Sequence, residues 1–130
     1  MALNVLVVDD SAVMRAMVIK TLRMINLPLG QVLEAGNGEE GIALLDRNWV
    51  DLILVDINMP VMNGEQMIER LKQNPATRDV PVIVISTEGS ETRIARLSEK
   101  GAAFVHKPFA PEVIREVIKQ VTGVSHEQTV

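Results

Sequence analysis

Five times along its length the chain repeats one pattern: a short run of aliphatic residues, then a few polar ones, then a stretch with apolar residues at helical spacing. The runs are Leu3 to Val8, Val32 to Ala35, Leu52 to Val55, Val82 to Ile85 and Ala103 to His106. Between them lie segments such as Met14, Met17, Val18, Leu22 and Ile25, which place one apolar face on a helix from about Ser11 to Asn26. Strands separated by helices cannot pair as hairpins; they form a parallel sheet covered by helices on both faces. The expected fold is therefore α/β, a doubly wound five-stranded parallel sheet.

Local signals set the boundaries. Pro28 and Gly30 are read as the end of the first helix, and Asn37 with Glu40 resembles a capping box at the start of the second. The second helix carries Ile42, Leu44 and Leu45. The third carries Met67, Ile68 and Leu71 after a Pro- and Gly-punctuated loop from Asn58 to Gly64. The fourth runs from about Ser90 to Lys100, with Gly101 as its C′ residue. The fifth is expected to face the sheet with Val113, Ile114, Val117, Ile118 and Val121. Strands one, three and four are continuous apolar runs, as central strands require; strands two and five read as shorter and more polar, which puts them at the edges. Residues 1–121 form one domain in this reading, and 122–130 a polar tail.

Length and charge narrow the function. A chain of 130 residues is the modal size of a single domain and can bury roughly two thirds of its unfolded surface. The formal net charge of −4 argues against nucleic acid, whose affinity depends on clustered Lys and Arg. Three aromatic residues, Trp49, Phe104 and Phe109, are too few for a base-stacking platform. No apolar run is long enough to span a bilayer, no signal peptide is recognisable, and no Cys is present, so a cytoplasmic location is expected.

Open α/β sheets bind ligands at the carboxyl ends of their strands. Here strand one ends in Asp9 and Asp10, strand three in Asp56, strand four in Ser86 and Thr87, and strand five in Lys107. Three of the chain's six Asp residues thus fall at one edge. Alone, each has an ordinary explanation: Asp or Ser at a strand end caps a helix or forms a turn, and a lone Lys is a surface residue. Together on four strand ends they point to a site. Converging carboxylates repel unless a hard cation joins them, and Mg²⁺ takes oxygen ligands, one or two carboxylates among them. Without Cys, and with neither His among the acids, zinc and copper are disfavoured. A carboxylate beside Mg²⁺, an ammonium and a hydroxyl suits a phosphoryl group, and a carboxylate can itself be the nucleophile. Asp56, on the middle strand, is the candidate.

Four segments resemble the receiver domain of bacterial two-component response regulators, of the CheY-like type. They are Val5-Leu6-Val7-Val8-Asp9-Asp10-Ser11, Leu52 to Asp56 with the loop through Asn58, Pro60 and Gly64, Pro81 to Thr87, and Gly101 to Phe109 with Phe104 and Lys107-Pro108. Order and spacing agree from about Leu3 to Val121. The resemblance implies a flavodoxin-like (βα)5 sheet in the order 2-1-3-4-5, for which CheY is itself a standing example. It implies that Asp56 takes a phosphoryl group from a phosphohistidine on a sensor histidine kinase. Asp10 and Asp56 would bind Mg²⁺ directly, Asp9 mainly through water, and the backbone carbonyl of Asn58 would complete the protein ligands. Lys107 would contact the phosphoryl oxygens, and the Ser86 hydroxyl would move toward them. Phe104 would then turn inward and alter the surface of helix four, strand five and helix five, a population shift between two packings. Asn58 and Glu88, two residues beyond Asp56 and Ser86, would tune dephosphorylation.

Three residues depart from the family's commoner pattern. Phe104 stands where some members have Tyr, Ser86 replaces Thr, and Ala110 stands where a Ser or Thr would cap the fifth helix. The missing cap should cost about 1 kcal/mol. The expectation is a phosphoaccepting switch, not an enzyme acting on other substrates, whose output is an unidentified downstream protein; with only a polar tail after helix five, no DNA-binding module is expected. The opening Asp9-Asp10-Ser11-Ala12-Val13-Met14-Arg15 is similar to chemotaxis receivers; a phosphorelay intermediate or phosphate sink would share the same residues. A haloacid-dehalogenase-like phosphatase would need Asp-x-Asp where Asp9 and Asp10 are adjacent. An FMN carrier of the same topology would have its phosphate repelled by that pair, and a receiver that signals without phosphorylation would not need the full set of site residues.

Overall fold

The computed structural model describes residues 2–57, 59, 61–87 and 90–123. The expectations placed on Asn58, Pro60 and Glu88, and on the tail from residue 124 onward, lie outside the described residues. Ten elements alternate: β1 Leu3–Val8, α1 Ala12–Met24, β2 Leu29–Ala35, α2 Gly38–Leu45, β3 Leu52–Val55, α3 Gly64–Gln73, β4 Val82–Ser86, α4 Glu91–Glu99, β5 Ala102–His106 and α5 Pro111–Thr122. The strands form one sheet in the order β2-β1-β3-β4-β5, with every neighbouring pair parallel. The three apolar runs are central and the other two lie at the edges, as expected.

The period-2 alternation of the strands divides the core into two layers. Val5, Val7, Leu52, Leu54, Ile83, Ile85 and Val105 face one side and meet Val18, Leu22 and Ile25 of the α1 segment and Ile114 and Ile118 of α5. Leu6, Val8, Ile53, Val55, Val82 and Val84 face the other, against Met67, Ile68 and Leu71 of α3 and Leu97 of α4. Both faces of the central strands are therefore dry, which is why those strands show no polar alternation.

Two core assignments need correction. Met17 is 55% exposed and Val113 is 48% exposed. Each precedes a fully docked residue, Val18 and Ile114, by one position, and one position rotates a side chain about 100° around the helix. The stripes that dock are Val18-Leu22-Ile25 and Ile114-Ile118, and both outliers sit on their flanks.

The second strand is also longer than expected. It spans seven residues and includes Gly30, which therefore does not end α1; Ile25 is its C-cap. A Cβ at Gly30 would run into the Asn4 side-chain oxygen, which accepts a hydrogen bond from the Gln31 amide at 2.8 Å. The glycine thus serves close strand approach where β1 and β2 shift register.

The helix starts follow their caps. Ser11 accepts from the Met14 amide, Ser90 from that of Arg93, and Asn63 and Gln66 form a reciprocal capping box. Asn37 accepts from the Glu40 amide, but Glu40 returns its carboxylate to Gly36, one residue earlier than a capping box requires. Ala110 provides no side-chain cap to α5.

Candidate functional site

Strand register alone brings the acids level. Val8 of β1 pairs with Val55 of β3, so Asp9 and Asp56 leave the sheet side by side. The Asp56 amide donates to the Val8 carbonyl at 3.0 Å, and the Asp9 amide donates to the Ala35 carbonyl at 3.0 Å. Across β4 and β5, Ser86 pairs with His106, and the Lys107 amide donates to the Ser86 carbonyl at 2.9 Å. Four strand ends thus present Asp9, Asp56, Ser86 and Lys107 at one edge, with Asp10 beside Asp9. Gly64, the first residue of α3, closes the floor. Its amide donates to the Ile57 carbonyl at 2.9 Å, and a Cβ there would overlap the Asp56 carbonyl oxygen.

Asp9, Asp10 and Asp56 each offer a carboxylate oxygen, all within 4.8 Å of one another. Lys107 Nζ lies 3.6 Å from Asp9 Oδ2 and 3.9 Å from Asp56 Oδ2. Asp9 is 4% exposed, Asp56 is half-buried and Asp10 is exposed. Burial pushes the Asp9 carboxyl above its ordinary range, and the Asp56 charge adds to the rise; the Ser11 amide, donating to Asp9 Oδ1 at 2.9 Å, and Lys107 only partly offset it. One ammonium facing three carboxylates leaves the pocket negative. An all-oxygen set of this kind suits a hard divalent cation, whose charge would favour every ionised carboxylate.

Ser86 is buried, the last residue of β4 in the same strand-end row. Phe104 pairs with Val84 one pleat below and is half-buried against the α3–α4 layer. Its ring packs edge-on against that of His106, with centroids 4.9 Å apart. Trp49 lies before β3, at the other end of the strand from Asp56, and is 77% exposed.

Two residues beside the site were not singled out by residue type or spacing. Arg15 reaches back from α1 to the Asp9 carbonyl, and Glu65 in the first turn of α3 gathers Arg93, Arg96 and Lys100 of the α4 segment. In the sequence Arg15 figures only as the end of the Asp9-to-Arg15 opening, five residues after the acid pair, with no role attached to it. For Glu65 it is the i, i+3, i+7 spacing of three cations, which names no acceptor.

Comparison with known proteins agrees with this fold. The family model described as the response regulator receiver domain matches residues 5–119. The chain is 35% identical over 123 residues to a chemotaxis protein CheY homolog of Campylobacter jejuni, covering 93% of each chain. It is 34% identical over 125 residues to chemotaxis protein CheY1 of Helicobacter pylori, covering 95% of this chain and 99% of that one. Among solved structures, the chemotaxis response regulator CheY4 of Vibrio cholerae superposes with a TM-score of 0.81 at 30% identity, over 93% of this chain and 99% of that one. On this sheet order, this family match and this sequence similarity, the chain belongs to the response regulator receiver domain family, and its likeness is to CheY-type members.

Proposed function

We propose that the chain is a phosphoaccepting switch in which Asp56 is the nucleophile and Mg²⁺ is held by Asp10 and Asp56, with Asp9 joining through water. The observation that carries this reading is the placement of Lys107 Nζ within 4 Å of both Asp9 and Asp56, in a pocket of three converging carboxylates. An Asp56 carboxylate oxygen bonds to phosphorus while the phosphorus–nitrogen bond to a kinase histidine breaks, and the imidazole leaves. Bound Mg²⁺ would supply positive charge to the phosphoryl oxygens. Lys107 contributes a second positive charge from β5, and the Ser86 hydroxyl a hydrogen-bond donor from β4. Asn58 and Glu88 complete the set proposed from family resemblance, as backbone ligand and as tuners of dephosphorylation.

The chain catalyses only its own phosphorylation and dephosphorylation in this reading. Its output is a changed surface on α4, β5 and α5, including Phe104, that binds a partner protein. The relatives named as chemotaxis proteins favour a chemotaxis pathway; a sensor histidine kinase as donor and a cytoplasmic location are part of the same proposal. No helix among the described residues is long and apolar enough to cross a membrane.

Intact-mass analysis after acetyl phosphate treatment tests the proposal. Wild type should gain one phosphoryl group only when Mg²⁺ is present, and Asp56→Asn should gain none. A gain without Mg²⁺, or one that survives the substitution, would sink the reading.

A further inference from the structure

Arg15 is the fourth residue of α1, close to the positive end of the helix dipole, where a cation is disfavoured; the first turn holds no acid to compensate it. Its side chain follows the tilt of helical Cβ atoms toward the N-terminus and leaves the helix. One guanidinium nitrogen donates to the Asp9 carbonyl at 2.5 Å, and Nε donates to Glu34 Oε1 on β2 at 2.9 Å. The Arg15 side chain is only 19% exposed. A single planar group therefore ties α1, the end of β1 and the end of β2 together, which the rigid fork of a guanidinium, with donors on separate nitrogens, suits better than the single nitrogen of an ammonium.

The residue it grips leads into the acid pocket. Asp9 is held at its amide by Ala35, at its carboxylate by the Ser11 amide and at its carbonyl by Arg15. The peptide joining Asp9 to Asp10 is thus fixed on its carbonyl side by Arg15, and that peptide's plane sets the direction in which Asp10, the exposed acid, leaves the chain. We infer that Arg15 is a positioning residue for the acid pocket: it clamps the Asp9–Asp10 peptide so that the Asp10 carboxylate stays in register with Asp9 and Asp56, and Glu34 holds the clamp. This inference rests on the pocket being a divalent-cation site.

The rival role for Arg15 predicts the opposite sign. A cation acting only through space beside the pocket repels Mg²⁺, so its removal should tighten binding. A positioning group does the reverse, because loss of a residue that orients ligands costs about 10- to 100-fold in metal affinity. Titration calorimetry with MgCl2 separates the two. Arg15→Ala should bind Mg²⁺ about tenfold more weakly than wild type. Arg15→Lys, with the charge kept and the two-point grip lost, should remain well below wild type. Glu34→Gln, which keeps an oxygen acceptor for Nε, should stay within about twofold. Unchanged or tighter binding by Arg15→Ala, or full recovery with Lys, would overturn the inference.

A metal-free measurement keeps the test independent of the cation. In EDTA, amide hydrogen exchange at Asp10 and Ser11 should quicken in Arg15→Ala while the amides of β3 and β4 keep wild-type protection. Equal protection at Asp10 and Ser11 would overturn the clamp. Failure of wild type to bind Mg²⁺ would overturn the cation-site reading, while the exchange result would still decide whether Arg15 orders the peptide.

Discussion

Glu65 on α3 holds Arg96 on α4 through two hydrogen bonds, Nε to Oε2 at 3.1 Å and a terminal guanidinium nitrogen to Oε1 at 3.2 Å. Arg93 lies 3.7 Å and Lys100 3.5 Å from the same carboxylate. Three cations of the α4 segment thus converge on an acid one residue past Gly64, whose amide is bonded to the loop leaving Asp56. The arrangement links the backbone beneath Asp56, the proposed phosphoacceptor, to the helix proposed to change its surface.

The Arg96 hydrogen bonds are the main cause that holds the Glu65 carboxyl below its ordinary value of 4.5, and they outweigh the opposing effect of burial. A depressed acid contributes stability above its unfolded pKa and loses it as pH falls through the folded one. Glu65→Gln should therefore increase hydrogen exchange in α4 at pH 7. In acid strong enough to protonate Glu65 in wild type as well, the two proteins should exchange alike. A difference that persists in acid would show that something other than the charge of Glu65 holds α4.

Adding or withholding the proposed Mg²⁺ is a stability experiment as well as a functional one. With Asp9 buried beside Asp56 and its carboxyl pushed upward, ionising Asp9 opposes the metal-free fold. Mg²⁺ at about a hundred times its dissociation constant should add about 2.7 kcal/mol to unfolding free energy, and EDTA should remove it. Asp10→Asn and Asp56→Asn should each lose most of this gain, measured by urea denaturation with and without Mg²⁺. An equal gain in both variants would remove these residues from the metal site. Trp49 fluorescence should report unfolding but barely respond to the ion, since the indole is exposed and its Nε1 donates to Asp51 at 2.8 Å, away from the pocket.

How much of this was legible in the sequence depends on how local each cause is. The strand ends could be read because Asp9, Asp56, Ser86 and Lys107 each close an apolar run, and parallel register brings such ends to one edge. Met17 and Val113 could not be placed, because their positions differ from those of their docked neighbours by one helical step, which periodicity blurs. Gly30 looked like a helix terminator; its reason is Asn4, on another strand. Arg15 and Glu65 were missed because their partners, Asp9 with Glu34 and the α4 cations, become neighbours only after the layers pack. The polar residues fixed by tertiary contact are thus the ones that pattern alone does not single out.

Gly64 tests how tightly the loop after Asp56 is built. A Cβ added there would overlap the Asp56 carbonyl oxygen and approach the Ile57 Cα at 3.0 Å. The obstacle is backbone, so no side-chain rotation relieves it. Gly64→Ala should cost about 2 kcal/mol, within the usual range for overpacking a dense site. Phosphorylation by acetyl phosphate should slow along with that loss. A variant with wild-type urea midpoint and rate would show that α3 shifts freely relative to Asp56.

The absent cap on α5 gives a prediction of the opposite sign. Ala110 already has the extended backbone of an N-cap, with φ −84° and ψ 147°, and Pro111 follows at the first helical position. A serine there needs no backbone change to accept a hydrogen bond from an amide of the first turn. Ala110→Ser should therefore stabilise the protein by about 1 kcal/mol. Because the start of α5 belongs to the surface proposed to bind a partner, the same change should slow hydrogen exchange in the first turn of α5. Mg²⁺ affinity should be unaffected, since Ala110 contributes no carboxylate. Urea unfolding and amide exchange on the single variant check both; no gain in stability would mean that the first-turn amides of α5 already have equivalent partners.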